Sequence, residues 1–248
     1  MSDRTLAALA LVPVPDRGRR YSATRRVRWG DVDRRGRLRL DALARYLQDV
    51  ANDDTRDAGH DPMAPWVVRR TGVRVVSPPT LLEDLTLTTF NGGIGSRWAE
   101  RRTSITGDRG GHVETASLWI FLDPSTNRPA RLTAEFLDTY AEAAMGRTVK
   151  ARLSHGRPPD GAERRAWPLR STDHDPLGHV NNAATWAPVE DELDRRGMVP
   201  RWAEVEYGDA IGPTDEVELF STLTAEGTVA MWLVTDGAVR ASAVAGSS

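Results

Sequence analysis

The sequence predicts an α+β fold of two tandem units, each made of one helix and a run of antiparallel strands. An Asp-x-Asp-x-x-Gly motif occurs twice at a constant offset of 142 residues (175 − 33 and 178 − 36). A helix-like stretch follows each copy, and alternating apolar and polar residues rich in Val, Thr and Leu follow each helix. Two such units would hide their sheet edges by pairing, so we expect an intramolecular pseudo-dimer. The two copies of the motif consist of Asp31, Asp33 and Gly36, and of Asp173, Asp175 and Gly178.

The first unit is expected to span residues 19–145, after a leader of residues 1–18. The apolar run in the leader is too short to cross a bilayer and ends at prolines. The first helix ends at Gly59, a residue type favoured just past a helix C-terminus. Strands follow, with GDRGG as a hairpin turn, and residues 135–145 have a helical pattern.

A linker rich in Gly, Pro and Arg is expected over residues 146–165, and the second unit over residues 166–248. The second unit repeats the order of the first. An extended entry leads to the motif, a helix ends at Gly197, and a long strand and a hairpin follow.

The composition excludes several classes of protein. The chain has 248 residues, a formal net charge of -2 and no cysteine. The charge balance suggests neither a nucleic-acid partner nor a membrane partner, and the lack of cysteine removes disulfide scaffolds, thiolate zinc sites and cysteine nucleophiles. We expect a cytoplasmic protein.

The segment DHDPLGHVNN, residues 173–182, concentrates polar side chains where the second helix is expected to begin. Asp and Asn are preferred helix caps and Pro-x-Gly is typical of turns, so a purely structural cap is one interpretation. The first copy has Arg37, Arg39 and Leu40 where the second has His179, Asn181 and Asn182. The fold therefore does not require His and Asn at these positions, which favours a functional role for the second copy. No HExxH spacing is present, and we expect no metal.

The motif GHVNN after an Asp, with LARYLQDVA and WVVRRTGVRV in the first half, resembles the acyl-acyl carrier protein thioesterases. The resemblance covers residues 20–245 and implies a double hotdog fold, in which a curved antiparallel β-sheet wraps one long helix in each unit. It also implies hydrolysis of a fatty acyl thioester on acyl carrier protein, a place in fatty acid biosynthesis and lipid metabolism, and no cofactor. The pseudo-dimer makes either a monomer or a homodimer possible.

Four positions depart from the family pattern. Leu177 replaces an amide side chain, Thr185 stands where a Tyr is expected, and Pro188 lies inside the expected helix. An acidic residue of the following strand falls at Ala210. These departures leave open how the attacking water is held and which acyl group is hydrolysed.

The chemistry of thioester hydrolysis assigns roles to the motif. Asp175 is expected to be the general base or nucleophile, and His179 to polarise the water, orient Asp175 or protonate the departing thiol. The first N–H groups of a helix have no intrahelical partner and can stabilise an oxyanion. The residues expected to stabilise the oxyanion or orient the substrate are Gly178, Val180, Asn181 and Asn182.

Two residues of the first helix are further candidates. Gln48 and Asn52 lie on one side of this helix by their i, i+4 spacing. In a pseudo-dimer the helix would face the loop of the second copy, where either side chain could hold the water. A solvated helix face is the alternative.

Two other functions remain open. An acyl-CoA or polyketide-type thioesterase would keep the fold and change the carrier of the acyl group. A non-catalytic acyl-binding module would follow if the departures at Leu177 and Ala210 had removed the hydrolytic chemistry.

Overall fold

A computed structural model describes residues 12–247, so most of the predicted leader, residues 1–11, lies outside the described residues. Ten strands and three α-helices occur in this part of the chain. The helices are α1 (Leu40–Asp57), α2 (Ala134–Tyr140) and α3 (Ala187–Arg195). The strands are β1 (Arg20–Arg26), β2 (Trp66–Ser77), β3 (Asp84–Ile94), β4 (Trp98–Gly107), β5 (His112–Phe121), β6 (Glu163–Ala166), β7 (Trp202–Tyr207), β8 (Glu218–Leu223), β9 (Val229–Thr235) and β10 (Ala238–Gly246). None of the described helices has the length and apolar character needed to cross a bilayer.

All ten strands form one antiparallel sheet in the order β1-β3-β4-β5-β2-β7-β10-β9-β8-β6. The centre of the sheet is the β2–β7 pair, whose register runs from Arg70 opposite Glu206 to Arg74 opposite Trp202. Outward from this pair, the first half continues β5, β4, β3, β1 and the second half continues β10, β9, β8, β6. The two halves therefore have the same strand order, as the repeated sequence pattern predicts. A mostly antiparallel sheet with few helices agrees with the predicted α+β class.

Helix α1 packs one face against the sheet and against the second half. Its buried residues include Leu40, Leu43 and Val50, which recur at helical spacing. The same apolar core contains Val189 and Leu193 of α3, so one core is continuous beneath both halves. The helix ends at Ala58, and Gly59 then adopts a left-handed φ of 77°.

Helix α3 has 9 residues where α1 has 18. A single 3-10 turn, Ala184–Trp186, precedes it. Pro188 therefore lies in the first turn of α3 rather than in its interior, and at this position its missing N–H breaks no helical hydrogen bond. The proline in the expected helix is accommodated by a later helix start.

The segment between the two halves lies along the outer face of the sheet, opposite the helices. The indole N–H of Trp98 donates to the carbonyl of Val149 at 2.8 Å, and that of Trp232 to the carbonyl of Gly156 at 2.7 Å. Arg70 also donates to the carbonyl of Arg152 at 3.1 Å. Side chains of both halves thus hold this segment on the sheet. The predicted boundaries of the units stay a prediction.

Candidate active site

The second copy of the repeated motif forms a tight turn closed by Asp175. Oδ1 of Asp175 accepts the N–H groups of Leu177 at 2.9 Å and His179 at 3.2 Å. Gly178 adopts a φ of 77°, a conformation that glycine reaches without a steric penalty. Asp175 is half-buried, whereas the side chains of Leu177 and His179 are exposed. One oxygen of the proposed catalytic carboxylate therefore holds the turn.

The first copy forms the same turn with Asp33. Oδ1 of Asp33 accepts the N–H groups of Arg35 and Arg37, both at 2.9 Å. Burial alone would raise the pKa of Asp33, but these N–H donors and the Arg37 guanidinium outweigh it and hold the pKa below its usual range. The turn therefore forms in both copies, although the first copy has Arg37 where the second has His179. The turn itself is a structural feature and does not depend on the histidine.

The backbone amides after the second turn are mostly engaged. The N–H of Gly178 donates to Asp175 at 3.0 Å, that of Val180 to Ile211 at 2.9 Å, and that of Asn181 to Asp173 at 2.8 Å, each time to a carbonyl oxygen. The side chain of Asn181 accepts the N–H of Ala183 at 2.8 Å and so caps the following turn. The expectation that the amides of Gly178, Val180 and Asn181 are free for an oxyanion is therefore corrected, because the fold uses them.

Asn182 differs from its neighbours. Among the N–H groups of residues 178–183, only that of Asn182 has no hydrogen-bond partner within the part of the chain that the structure describes. Its carbonyl oxygen lies 3.4 Å from the hydroxyl of Tyr207, which donates to it. Of the amides predicted to bind an oxyanion, the amide of Asn182 is the one that the fold leaves available.

A cavity of about 30 Å³ lies between α1, the central strands and the start of the second helical segment. This volume is enough for about one or two water molecules. Gln48 and Asn182 both line it, while Asn52, Asp175 and His179 are not among the lining residues. The lining residues that the structure describes are Ala44, Leu47, Gln48, Ala51, Val68, Thr71, Arg101, Thr103, Ser117, Trp119, Asn182, Ala183, Trp186 and Tyr207.

Two aromatic residues fix one wall of this cavity, and sequence reasoning missed one of them, Tyr207. The indole N–H of Trp186 donates to the Tyr207 hydroxyl at 2.8 Å, and both side chains are buried. Burial raises the pKa of Tyr207, so the phenol keeps its proton and can donate to the carbonyl of Asn182. The alternation of Ala203, Val205 and Tyr207 along β7 is the sequence signal that places Tyr207 on the core side.

At the matching position of the first copy, a carboxylate occupies the backbone amide. Leu40 corresponds to Asn182 at the 142-residue offset, and its N–H donates to Oε2 of Glu190 at 2.9 Å. Oε1 of Glu190 pairs with Arg37, the counterpart of His179. Burial raises the pKa of Glu190, although Arg37 and the Leu40 amide oppose the rise.

The offset also relates the residues on the two helices. Glu190 in α3 corresponds to Gln48 in α1 (190 − 142). In the first copy a side chain of the opposite helix binds the amide of Leu40, and in the second copy Asn182 and Gln48 both line a cavity. The two copies thus have nearly the same backbone arrangement at this point, but the side-chain contacts to the Leu40 and Asn182 amides differ.

The chain matches known proteins over both halves. The model of the acyl-ACP thioesterase N-terminal domain matches residues 18–140. Two uncharacterized proteins of Mycobacterium tuberculosis, from strains CDC 1551 and H37Rv, are each 35% identical over 187 residues, which is 75% of this chain and 74% of theirs.

Three solved structures are also similar to this chain. A candidate oleoyl thioesterase from Lactobacillus plantarum gives a TM-score of 0.79 at 20% identity and covers 94% of this chain and 97% of its own. An acyl-ACP thioesterase from Bacteroides thetaiotaomicron gives 0.75 at 16%, with 91% and 96% covered. The 12:0-ACP thioesterase from Umbellularia californica gives 0.76 at 18%, with 92% and 96% covered. These similarities show a shared thioesterase fold of the hotdog type.

Proposed function

The chain belongs to the acyl-ACP thioesterase family, and we propose that it hydrolyses the thioester of an acyl-acyl carrier protein to release a free carboxylic acid. The acyl carrier protein is then its partner. We interpret the repeated strand order as a double hotdog, in which two units within one chain form a pseudo-dimer.

The proposal is supported above all by two observations: Gln48 and Asn182 both line the cavity, and the amide of Asn182 has no partner among the described residues. Hydrolysis of a thioester builds negative charge on the carbonyl oxygen, and a fixed N–H donor stabilises that charge. In the first copy the equivalent amide already binds the Glu190 carboxylate, an anion supplied by the protein itself. By analogy, the Asn182 amide is suited to bind an anion, and we assign it the role of donor to the oxyanion.

The other roles follow the motif. In this proposal water attacks the carbonyl carbon, Asp175 takes its proton, the carbon–sulfur bond breaks, and His179 protonates the departing thiolate. The roles of Asp175 and His179 rest on the motif alone, because neither residue lines the cavity. Oδ2 of Asp175 accepts no hydrogen bond from the described residues, so this oxygen remains for the proton transfer. We assign Gln48 the orientation of the water, because its side chain lines the cavity beside Asn182.

The experiment compares matched substitutions in the two copies. We expect Asp175→Asn and His179→Ala to lower the release of free acid from an acyl-carrier thioester by at least about tenfold. Asp33→Asn removes the same turn carboxylate from the first copy, and His112→Ala removes a half-buried histidine of β5. Both control variants should keep the wild-type rate.

Three outcomes oppose the proposal. Equal rates for Asp175→Asn and Asp33→Asn would assign Asp175 to the turn alone. Tight binding of the acyl-carrier thioester by the wild-type chain without turnover would indicate the non-catalytic module. A clear preference for matched CoA thioesters over carrier-bound ones would indicate an acyl-CoA thioesterase.

A further inference from the structure

A second cluster of ionisable side chains lies on the outer face of the sheet, away from the cavity. His155 of the segment between the halves meets Glu204 and Glu206 of β7. Ala203 and Val205, which alternate with the two glutamates, belong to the core on the other face. The side chains of the cluster are 6%, 3% and 4% exposed, so three titratable groups share a buried space.

The imidazole of His155 is held in one orientation with one nitrogen unused. Its Nδ1 lies 2.9 Å from the hydroxyl of Ser242, whereas Nε2 is buried and has no hydrogen-bond partner in the described part of the chain. Nε2 lies 3.3 Å from Oε1 of Glu204. In the tautomer whose Nδ1–H donates to Ser242, Nε2 presents a lone pair to Oε1 of Glu204, and a cation bound between these two acceptors can be shared by them.

We infer that His155, Glu204 and Glu206 form a binding site for a divalent transition metal, with zinc as the representative ion. Zinc takes imidazole and carboxylate ligands at about 2.0–2.2 Å in tetrahedral geometry, which puts two ligand atoms about 3.3 Å apart. The Nε2–Oε1 distance of 3.3 Å fits this separation. Oε2 of Glu206 lies 3.8 Å from Nδ1 of His155, and one ligand atom from each of the three residues lies within 4.8 Å of the others, so the Glu206 side chain has to shift to complete the tetrahedral arrangement.

The surroundings of the cluster support a bound cation. Two glutamates bring two negative charges, and Arg70, whose Nε lies 3.7 Å from Glu204, offsets one of them. Oε1 of Glu206 accepts the N–H of Ser154 at 2.6 Å and the Ser154 hydroxyl at 3.4 Å, while Oε2 accepts only the N–H of His155 at 3.0 Å and keeps a further lone pair. Ser242 orients the imidazole in the way that outer partners orient metal-bound histidines.

A metal at this position would fasten the segment between the halves to the sheet. His155 belongs to that segment, and the two glutamates belong to the strand that pairs with the first half. This site is separate from the proposed active site, and it departs from the expectation of no metal drawn from the sequence. Sequence spacing gives no sign of it, because 49 residues separate His155 from Glu204 (204 − 155).

The test measures zinc binding by the full chain after removal of any affinity tag and treatment with EDTA. Isothermal titration with zinc chloride near neutral pH should show one saturable site. His155→Ala and Glu204→Gln should weaken it by about 100-fold or more, and Ser242→Ala by about tenfold. His112→Ala removes a half-buried histidine beside Glu114 and should leave the affinity unchanged.

Two results would overturn the inference. One is a wild-type chain that binds no zinc, and the other is an equal zinc affinity in wild type, His155→Ala and Glu204→Gln. Circular dichroism of each variant confirms its fold, and Glu206→Gln replaces any variant that does not fold. Cobalt(II) bound by the wild-type chain should show the visible absorption of tetrahedral coordination, which His155→Ala should lose.

Discussion

Glu190 and Gln48 occupy matching positions on the two helices that meet at the centre of the molecule. They differ by one functional group, because a carboxylate and a carboxamide have nearly the same shape. The carboxylate of Glu190 binds the amide of Leu40 and the guanidinium of Arg37, while the carboxamide of Gln48 lines the cavity. The first copy therefore has a carboxylate that occupies the Leu40 amide, whereas the second copy has a carboxamide at the matching position and the Asn182 amide is available.

This contrast leads to a prediction for Gln48. In Gln48→Glu the new carboxylate should bind the Asn182 amide as Glu190 binds that of Leu40. We expect kcat/KM for an acyl-carrier thioester to fall by about 100-fold while the protein stays folded, because the oxyanion donor is then occupied. Steady-state kinetics and circular dichroism measure the two quantities.

Asn52→Glu is the matched control, since Asn52 lies one turn further along α1 and is not among the residues that line the cavity. Its activity should stay near the wild-type value. An unchanged kcat/KM in Gln48→Glu would remove both Gln48 and the Asn182 amide from the proposed mechanism.

At the scale of elements, α1 is anchored at its C-terminal end by a buried ion pair. Asp54 is 1% exposed and meets Arg19 at 2.8 Å and Arg101 at 2.5 Å. Arg19 also donates to the backbone carbonyl of Asp54 at 2.9 Å. These contacts connect the helix to the start of the chain and to β4.

We predict that Asp54→Ala lowers the free energy of unfolding by about 3–5 kcal/mol, because both guanidiniums lose their buried partner. Asp53→Ala is the control from the same helix, since Asp53 pairs with Arg25 near the surface and 37% of its side chain is exposed. Its loss should stay within about 1 kcal/mol. Urea unfolding gives both values, and equal losses would contradict the prediction.

The elements whose signals are local were predictable. The two motif turns follow from Asp and Gly at fixed positions, and the GDRGG hairpin follows from its glycines, with the N–H of Gly107 donating to the carbonyl of Gly111 at 2.8 Å. The later start of α3 also agrees with Pro188, because proline is tolerated in a first turn.

The candidate site was predictable only in part. Asn182 was a candidate because it belongs to the GHVNN motif, and Gln48 because the repeat places one half against the other; both line the cavity. The engagement of the Val180 and Asn181 amides was not, since their acceptors are the carbonyls of Ile211 and Asp173 and the hydrogen bonds depend on the packing of the turn. The cluster at His155 was missed for a related reason, because only the path of the connecting segment over the sheet brings it to β7.

At the scale of the whole molecule, buried carboxylates make stability depend on pH. Burial alone would raise the pKa of four carboxyls, but N–H, hydroxyl and guanidinium donors outweigh it and hold the pKa of each below its usual value. The four are Asp33, Asp41, Glu83 and Glu192. Their unfolded forms bind protons first as the pH falls, so their contribution is complete above the unfolded pKa of about 4 and is lost below it.

We predict that the free energy of unfolding falls by roughly 1–3 kcal/mol between pH 5 and pH 3. Glu190 acts in the opposite direction, because its raised pKa lets the folded state take up a proton first. Guanidinium unfolding followed by tryptophan fluorescence at several pH values measures the slope. A free energy of unfolding that stays constant or rises as the pH falls over this interval would show that the four carboxyls with lowered pKa do not dominate the pH dependence.

The path of the connecting segment has a practical consequence. Residues 146–162 lie on the sheet and do not form the junction, which consists of the β2–β7 ladder and the shared core. A single cut in the exposed stretch around Gly156 and Arg157 would therefore spare that junction. The two fragments could then be produced separately and recombined, so that one half carries isotopic labels for NMR while the other remains silent.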